Sequence, residues 1–352
     1  MKFGLLIYGS LDTLSGGYLY DRKLVESLRR QGDTVEIISL PWRNYAAHLT
    51  DNLRFRLPAG LDLLIQDELN HPSLLAANRR PHPYPLVSLV HHLRCSEPRP
   101  AWQNCFYRFI EKRYLQSVDG FIFNSQTTKS VVNSLGTNPS KPNLVAYPPT
   151  DRFGHPVTEV EVIARAHEPG ALRLLFLGNL ILRKGLHTLL EAIDRQPSAF
   201  RLDVVGGLNA EPAYARAMQE QAAALGPGAS VRFHGPLERE ALAEKLRAAQ
   251  VLVLPSSYEG FGIVYLEGMA FGLPAVGTTA GAASEVITDG ETGCLVPPED
   301  AARLYECLAM LATDRVLLAR MSLQALERYR RQPAWDDTAK TIRQFLHGMA
   351  TS

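Results

Sequence analysis

The chain has 352 residues, of which 46% are hydrophobic and 21% charged, and a formal net charge of +1. This is the composition of an ordinary soluble globular protein long enough for two domains, and it offers no reason to expect nucleic acid as a partner. Cys95, Cys105, Cys294 and Cys307 show no metal-ligand spacing, which argues against a disulfide framework or a zinc site, and no stretch approaches the ~20 apolar residues of a membrane span. Met1 to Ile7 reads as a strand rather than a signal peptide, so a cytoplasmic location is expected. The charge is uneven. Residues 1–150 carry 17 Lys and Arg against 12 Asp and Glu, whereas residues 151–352 carry 20 against 24. A basic first half suits contact with something anionic.

In chain order, Lys2 to Tyr8 is a buried-strand run. Ser15-Gly16-Gly17 follows as a turn, then Tyr18 to Arg30 as a helix and Val35 to Leu40 as a second strand. This βαβ opening lacks G-x-G-x-x-G, so a nicotinamide fingerprint is missing. Further strands are predicted at Leu61–Ile65, Pro85–Val90 and Gly120–Phe123. The second of these runs into His91-His92. Ligands collect outside the carboxyl ends of strands in such folds, so His91 is well placed and His92 reads as an exposed neighbour. An imidazole there could donate a hydrogen bond or take a proton. Trp42 to Leu57 and Trp102 to Tyr114 mix aromatics with arginines. Their aromatics are expected to pack inward while the arginines reach out to water. The alternative is a basic amphipathic surface lying on an anionic membrane.

Asn143 to Phe153 closes a first domain, and the polar run Glu159 to Gly170 reads as a linker. A second domain then starts with the strand Leu172 to Leu177, the run Gly178 to Gly185, and a helix from Leu186. Arg183 and Lys184 stand just before that helix. Cationic side chains and exposed helix amides both favour a diphosphate. Arg201–Val205 with Gly206-Gly207, and Val231–Gly235, are the next strand ends. Val251 to Leu254 is a short buried strand leading through Pro255 into Glu259-Gly260-Phe261-Gly262. A helix over Ile263–Phe271 carries Glu267 and ends at Gly272-Leu273-Pro274. Two carboxylates beside a helix N-terminus suit a ligand bearing both phosphate and hydroxyls. Glu285 is expected to cap a helix start, Leu304 to Tyr329 to be helical, and Trp335 to open a last helix.

The pair Glu259 and Glu267, wrapped around Gly-Phe-Gly after a strand ending in Pro-Ser, resembles the retaining glycosyltransferases of family 4 (glycosyl transferases group 1). The resemblance covers nearly the whole chain, tightly over residues 172–300 and loosely over 40–115. It implies an α/β protein of the GT-B fold, with two facing Rossmann-like, doubly wound domains and the active site in the cleft between them. The domains would span residues 1–155 and 170–333, with the C-terminal helix over 334–352 crossing back onto the first. By resemblance, Glu267 takes the ribose of a nucleotide-sugar, and Glu259, Gly260, Phe261 and Gly262 hold the donor sugar. Gly16 and Gly17 approach the donor phosphates, and His91 faces the donor sugar or the acceptor. Lys184-Gly185 match the family's basic site, but Asn179 stands where the family has a first basic residue, and Arg183 is the candidate replacement.

The implied function is metal-independent retaining transfer of a sugar from a nucleoside-diphosphate sugar, UDP- or GDP-linked, to an unidentified acceptor. His91, Arg183, Lys184 and Glu259 would be catalytic, with no metal, no other cofactor and a possible peripheral membrane contact through the first domain. No D-x-D cluster is apparent at a strand end. A nucleotide-sugar isomerase or epimerase of the same architecture, and a catalytically silent nucleotide-sugar binder, are the alternatives.

Overall fold

The computed structural model describes residues 1–13, 15–149, 152–154 and 156–351. The chain divides into two compact units, Met1–Pro149 with Pro333–Ser352, and Thr150–Gln332. In unit 1, β1 (Lys2–Tyr8), β2 (Thr34–Leu40), β3 (Leu63–Asp67), β4 (Leu86–Val90), β5 (Gly120–Phe123) and β6 (Asn143–Val145) form one sheet in the order β2-β1-β3-β4-β5-β6. In unit 2, β7 (Leu172–Leu177), β8 (Phe200–Val205), β9 (Ser230–Gly235), β10 (Val251–Val253), β11 (Ala275–Thr278) and β12 (Gly293–Val296) form the other, in the order β12-β11-β10-β7-β8-β9. All pairings are parallel. Parallel sheets need both faces covered by crossover helices, and so β3, β4, β5, β10 and β11 are buried at every position. This is the GT-B fold. The order reverses between β1 and β3 in unit 1, and between β7 and β10 in unit 2. Strand ends at such a reversal splay apart and leave a crevice, which is where chemistry is to be sought.

Several local expectations are corrected. Glu159–Gly170 is not a linker: Glu159–Ala166 is a helix, closed by a reciprocal cap between Thr158 and Glu161. It buries Val162 and Ala166, and Arg165 donates to the carbonyls of Phe271 and Gly272 at 2.6 and 3.1 Å. The polar composition concealed a helix with one buried stripe. Leu304–Tyr329 is two helices, Ala301–Thr313 and Arg315–Arg330, because the Asp314 side chain caps the second by accepting from Leu317 N at 2.8 Å. Glu285 ends a short 3-10 turn and caps no helix. The Thr150-Asp151 step of the closing segment lies outside the described residues.

The last helix, Trp335–Ala350, packs within unit 1. It buries Trp335, Ile342 and Leu346, and the Trp335 ring meets Tyr20 edge-on at 5.1 Å. Arg343 and His347 reach Asp33 at 2.6 and 3.0 Å, and the N-terminal ammonium reaches it at 2.9 Å. Burial alone would raise the Asp33 carboxyl, but these donors outweigh it and hold it below the ordinary value.

The aromatic-basic segments split. In the helix Ala101–Gln116, Ile110, Tyr114 and Leu115 point into the core, whereas Trp102, Phe106 and Phe109 face outward, with Trp102 72% exposed. The inward expectation fails for these three because the opposite stripe already fills the space above the sheet.

Candidate functional site

In unit 2, β7 ends at Leu177 and the chain turns through Gly178-Asn179 into the short turn Leu182–Lys184. That turn lies against the loop after β10. Arg183 accepts from Ser257 N through its carbonyl at 2.8 Å, and its guanidinium donates to the Tyr258 carbonyl at 2.6 Å. Gly185 is left-handed at φ 72°, and a Cβ there would stand 2.1 Å from the Pro255 carbonyl oxygen. No other residue can close this turn without moving backbone. Replacing Gly185 with Ala is therefore expected to lower stability by about 3 kcal/mol, measurable by urea unfolding of unit 2.

The two segments meet in an ion cluster. Lys184 Nζ donates to Glu259 Oε1 at 2.5 Å, Ser256 Oγ donates to the same oxygen at 2.6 Å, and Arg183 Nη1 stands 3.7 Å from it. Burial would push the Glu259 carboxyl up, but Lys184, then Arg183, then the hydrogen bonds bring it down to about 2. Two cations and one carboxylate leave a net positive charge at the strand reversal, beside the helix Ile263–Ala270. Gly262 is its N-cap, with φ 95°. Phe261 is buried. Asn179 does not stand in for a cation: its Oδ1 accepts from Gly207 N at 3.1 Å and braces the end of β8.

Glu267, buried on the same helix, is held by a partner that sequence reasoning missed. Arg152 Nη1 donates to Glu267 Oε1 at 2.9 Å, and its guanidinium lies 5.1 Å over the Phe153 ring. Burial raises the Glu267 carboxyl and Arg152 only partly offsets it. With Arg152 on one oxygen, the carboxyl group keeps further lone pairs that can accept hydrogen bonds from hydroxyls.

In unit 1 the strand reversal gathers acids around His91. His91 Nε2 donates to Asp21 Oδ1 at 2.9 Å, and its backbone N–H donates to Glu68 Oε2 at 2.9 Å. Burial alone would lower the imidazole, but Asp21 first, then Asp67 and Glu68, raise it to about 9. Burial and Asp21 in turn lift Asp67 to about 7, and burial lifts Glu68 well above its ordinary value. The cluster favours the imidazolium form of His91 and the protonated forms of Asp67 and Glu68.

Gly16 and Gly17 do not form a free turn. They open the helix Gly16–Arg30, capped by Ser15, and a side chain on Gly17 would come within 3.3 Å of the His91 ring. His92 is half-buried rather than exposed and bonds Glu97 at 2.9 Å.

Acids that form no D-x-D triplet do stand at the end of one strand. β3 runs two residues further than predicted and ends in Asp67, next to Glu68. Single ligand atoms of Asp21, Asp67 and His91 lie within 4.8 Å of one another. His91 is the basic member of this group and bonds Asp21 directly. Asp67-Glu68 directly after an apolar strand was the legible signal.

Two parallel six-stranded sheets with a cationic strand reversal define the class, the GT-B glycosyltransferase fold. A family model described as Glycosyl transferases group 1 matches residues 161–328. The D-rhamnosyltransferase WbpZ of Pseudomonas aeruginosa is 30% identical over 263 residues, covering 70% of this chain and 67% of its own. The chain belongs to the glycosyl transferases group 1 family. A D-inositol 3-phosphate glycosyltransferase of Xylanimonas cellulosilytica is 35% identical over 169 residues, 48% of this chain and 40% of that relative. A second such enzyme, from Corynebacterium urealyticum, is covered over 43% of its length, so the chain spans less than half of either. Among solved structures, sucrose-phosphate synthase from Thermosynechococcus elongatus superposes with a TM-score of 0.83 at 21% identity over 100% of both chains. Anabaena Alr3699/HepE, solved in complex with UDP-glucose, superposes at 0.77 with 18% identity, over 99% of this chain and 100% of that one.

Proposed function

We propose that the protein is a retaining glycosyltransferase of family 4 that moves a sugar from a nucleoside-diphosphate sugar to an acceptor without a metal ion. The observation that carries this reading is the Lys184–Arg183–Glu259 cluster at the strand reversal of unit 2, with Glu267 on the next helix. As the bond from sugar to diphosphate breaks, negative charge grows on the leaving oxygen. Lys184 and Arg183, fixed in place before the reaction, would stabilise that charge with little reorganisation. Glu267 would accept the ribose hydroxyls, and Glu259 with the amides near Gly260–Gly262 would orient the donor sugar.

Retention calls for either a covalent glycosyl intermediate or attack on the face from which the diphosphate leaves. A carboxylate held near 2 by two cations and a hydroxyl is a weak nucleophile, which supports same-face attack. His91, charged at neutral pH, would donate a hydrogen bond to an oxygen of the reacting sugars and would not act as the base. The acceptor proton would then leave to a diphosphate oxygen. UDP-glucose in the Alr3699/HepE complex supports trying UDP-sugars first.

The test is product analysis with labelled UDP- and GDP-sugars in EDTA, with and without a pool of candidate acceptors. The proposal predicts label on an acceptor with the donor's anomeric configuration. A converted sugar nucleotide with no acceptor consumed would make the protein an isomerase, and binding with neither product would make it a silent binder.

A further inference from the structure

We propose that Arg152 is a positioning residue for Glu267 and thereby sets the preference of the nucleotide site for ribose over deoxyribose. The inference rests on the reading of Glu267 as the acceptor of the ribose hydroxyls. The helix Ile263–Ala270 fixes the backbone of Glu267. Leu266 and Met269 are fully buried, and a Cβ on Gly268 would stand 3.1 Å from the Leu252 Cβ of β10. The helix does not fix the side chain. A glutamate has several free torsions between its backbone and its carboxylate, and holding them still has an entropic cost that some contact must offset.

Arg152 supplies that contact. Its Nη1 donates to Glu267 Oε1 at 2.9 Å, and among the described residues it is the one hydrogen-bond partner of the carboxylate. The guanidinium is held in turn. It lies 5.1 Å over the Phe153 ring, and Phe153 meets Phe271 edge-on at 5.2 Å. Glu267 and Phe271 stand one helical turn apart and share a face. Arg152 and Phe153 therefore span that face and are fastened at both ends to the helix they brace. A planar guanidinium on Oε1 sets the plane of the carboxylate and leaves Oε2 to accept from a hydroxyl. Exposure gives the pair its direction, because the Arg152 side chain is 36% exposed and that of Glu267 only 6%. The cation reaches inward to an acid that water scarcely touches. Burial already raises the Glu267 carboxyl, and Arg152 is what opposes it. Without Arg152, the acid takes up a proton more readily and is free to turn toward other donors. A site built to hydrogen-bond a hydroxyl rejects the ligand lacking it only while its own polar group is held in place.

The test is calorimetric titration of the full chain in EDTA with UDP, GDP and ADP, each paired with its 2′-deoxy form. Wild type, Arg152→Gln, Arg152→Lys and Glu267→Ala are compared. The readout is the ratio of the two dissociation constants within one protein. Partial unfolding leaves that ratio unchanged, because both ligands meet the same folded fraction. Wild type is expected to favour the ribonucleotide of one base by at least about tenfold. Arg152→Gln should narrow the ratio to below about threefold, and Glu267→Ala should abolish it. Arg152→Lys keeps the charge without the planar fork, so its ratio should fall between the two. That variant carries the comparison if Arg152→Gln binds too weakly to measure. A wild-type ratio in both Arg152 variants, with the ratio lost in Glu267→Ala, would overturn the proposal and leave the ribose reading standing. Arg152 would then act on both nucleotides alike, through the fold or by touching the diphosphate. No binding, no preference in wild type, or a preference kept in Glu267→Ala would overturn the ribose reading and the proposal with it.

Discussion

Lys184→Met is expected to lower kcat for sugar transfer by about 100- to 1000-fold and to destabilise unit 2 by about 3 kcal/mol. The two effects have different causes and separate experimentally. The stability loss arises because Glu259, buried and held ionised by Lys184 and Arg183, keeps its charge while losing its nearest partner. The double variant Lys184→Met/Glu259→Gln removes the stranded charge as well. It should therefore unfold at a higher urea concentration than Lys184→Met alone, a coupling that a double-mutant cycle measures directly. Turnover should not return with stability, because the cation needed at the leaving diphosphate is still missing. Recovery of both together would mean that Lys184 acts only through folding. The cluster also sets an acid limit. Because the Glu259 carboxyl is depressed, its stabilising contribution is present above about 4.5 and is lost as pH falls toward about 2.

The second large effect is expected at Asp21→Asn. Asp21 is buried and bonds His91, whose side chain is 11% exposed, and removing the carboxylate leaves an imidazolium facing Asp67 and Glu68 only. Breaking such a pair from one side costs about 3–5 kcal/mol. The pH dependence has a definite sign. His91 is raised to about 9, so its stabilising contribution is complete below its unfolded value of about 6.5 and drains away as pH rises toward 9. Asp67, raised to about 7, acts in the same direction at lower pH, because the native state keeps a proton that the unfolded chain gives up. The buried neutral His71 works the other way only below its unfolded value of about 6.5, so unit 1 should melt at progressively lower temperature from about pH 6.5 to pH 9. In Asp21→Asn the His91 part of that decline moves to lower pH, which NMR titration of the His91 ring would show. A wild-type His91 titrating near 6.5 would contradict this account of the cluster.

The strands were legible because a parallel sheet buries both faces, and runs such as Leu172–Leu177 and Val251–Leu254 need no partner to be recognised. The donor-site candidates were legible because Lys184-Gly185 and Glu259 to Glu267 are local patterns at strand-to-helix turns. What joined them was not. Lys184 and Glu259 are 75 residues apart, Arg152 and Glu267 are 115, and Asp21 and His91 are 70. No periodicity reports which acid meets which base across such separations. Arg152 sat in an irregular segment that offered no face or register, and Asp21 looked like one more polar residue of an amphipathic helix. The helix Ala101–Gln116 misled for a related reason. Its aromatics occupy two stripes, and only packing decides which stripe the sheet takes.

The central claim is that unit 2 holds a nucleoside diphosphate through Glu267 and the Lys184 cluster without a metal. The measurement that tests it most directly is a thermal-shift titration of wild type and Glu267→Ala with UDP, GDP, ADP, dTDP and NAD, all in EDTA. A ligand at a hundred times its dissociation constant adds about 2.7 kcal/mol of stability. One nucleoside diphosphate should raise the wild-type melting temperature and leave Glu267→Ala unmoved. A shift with NAD alone, with no ligand at all, or equally in the variant would contradict the claim.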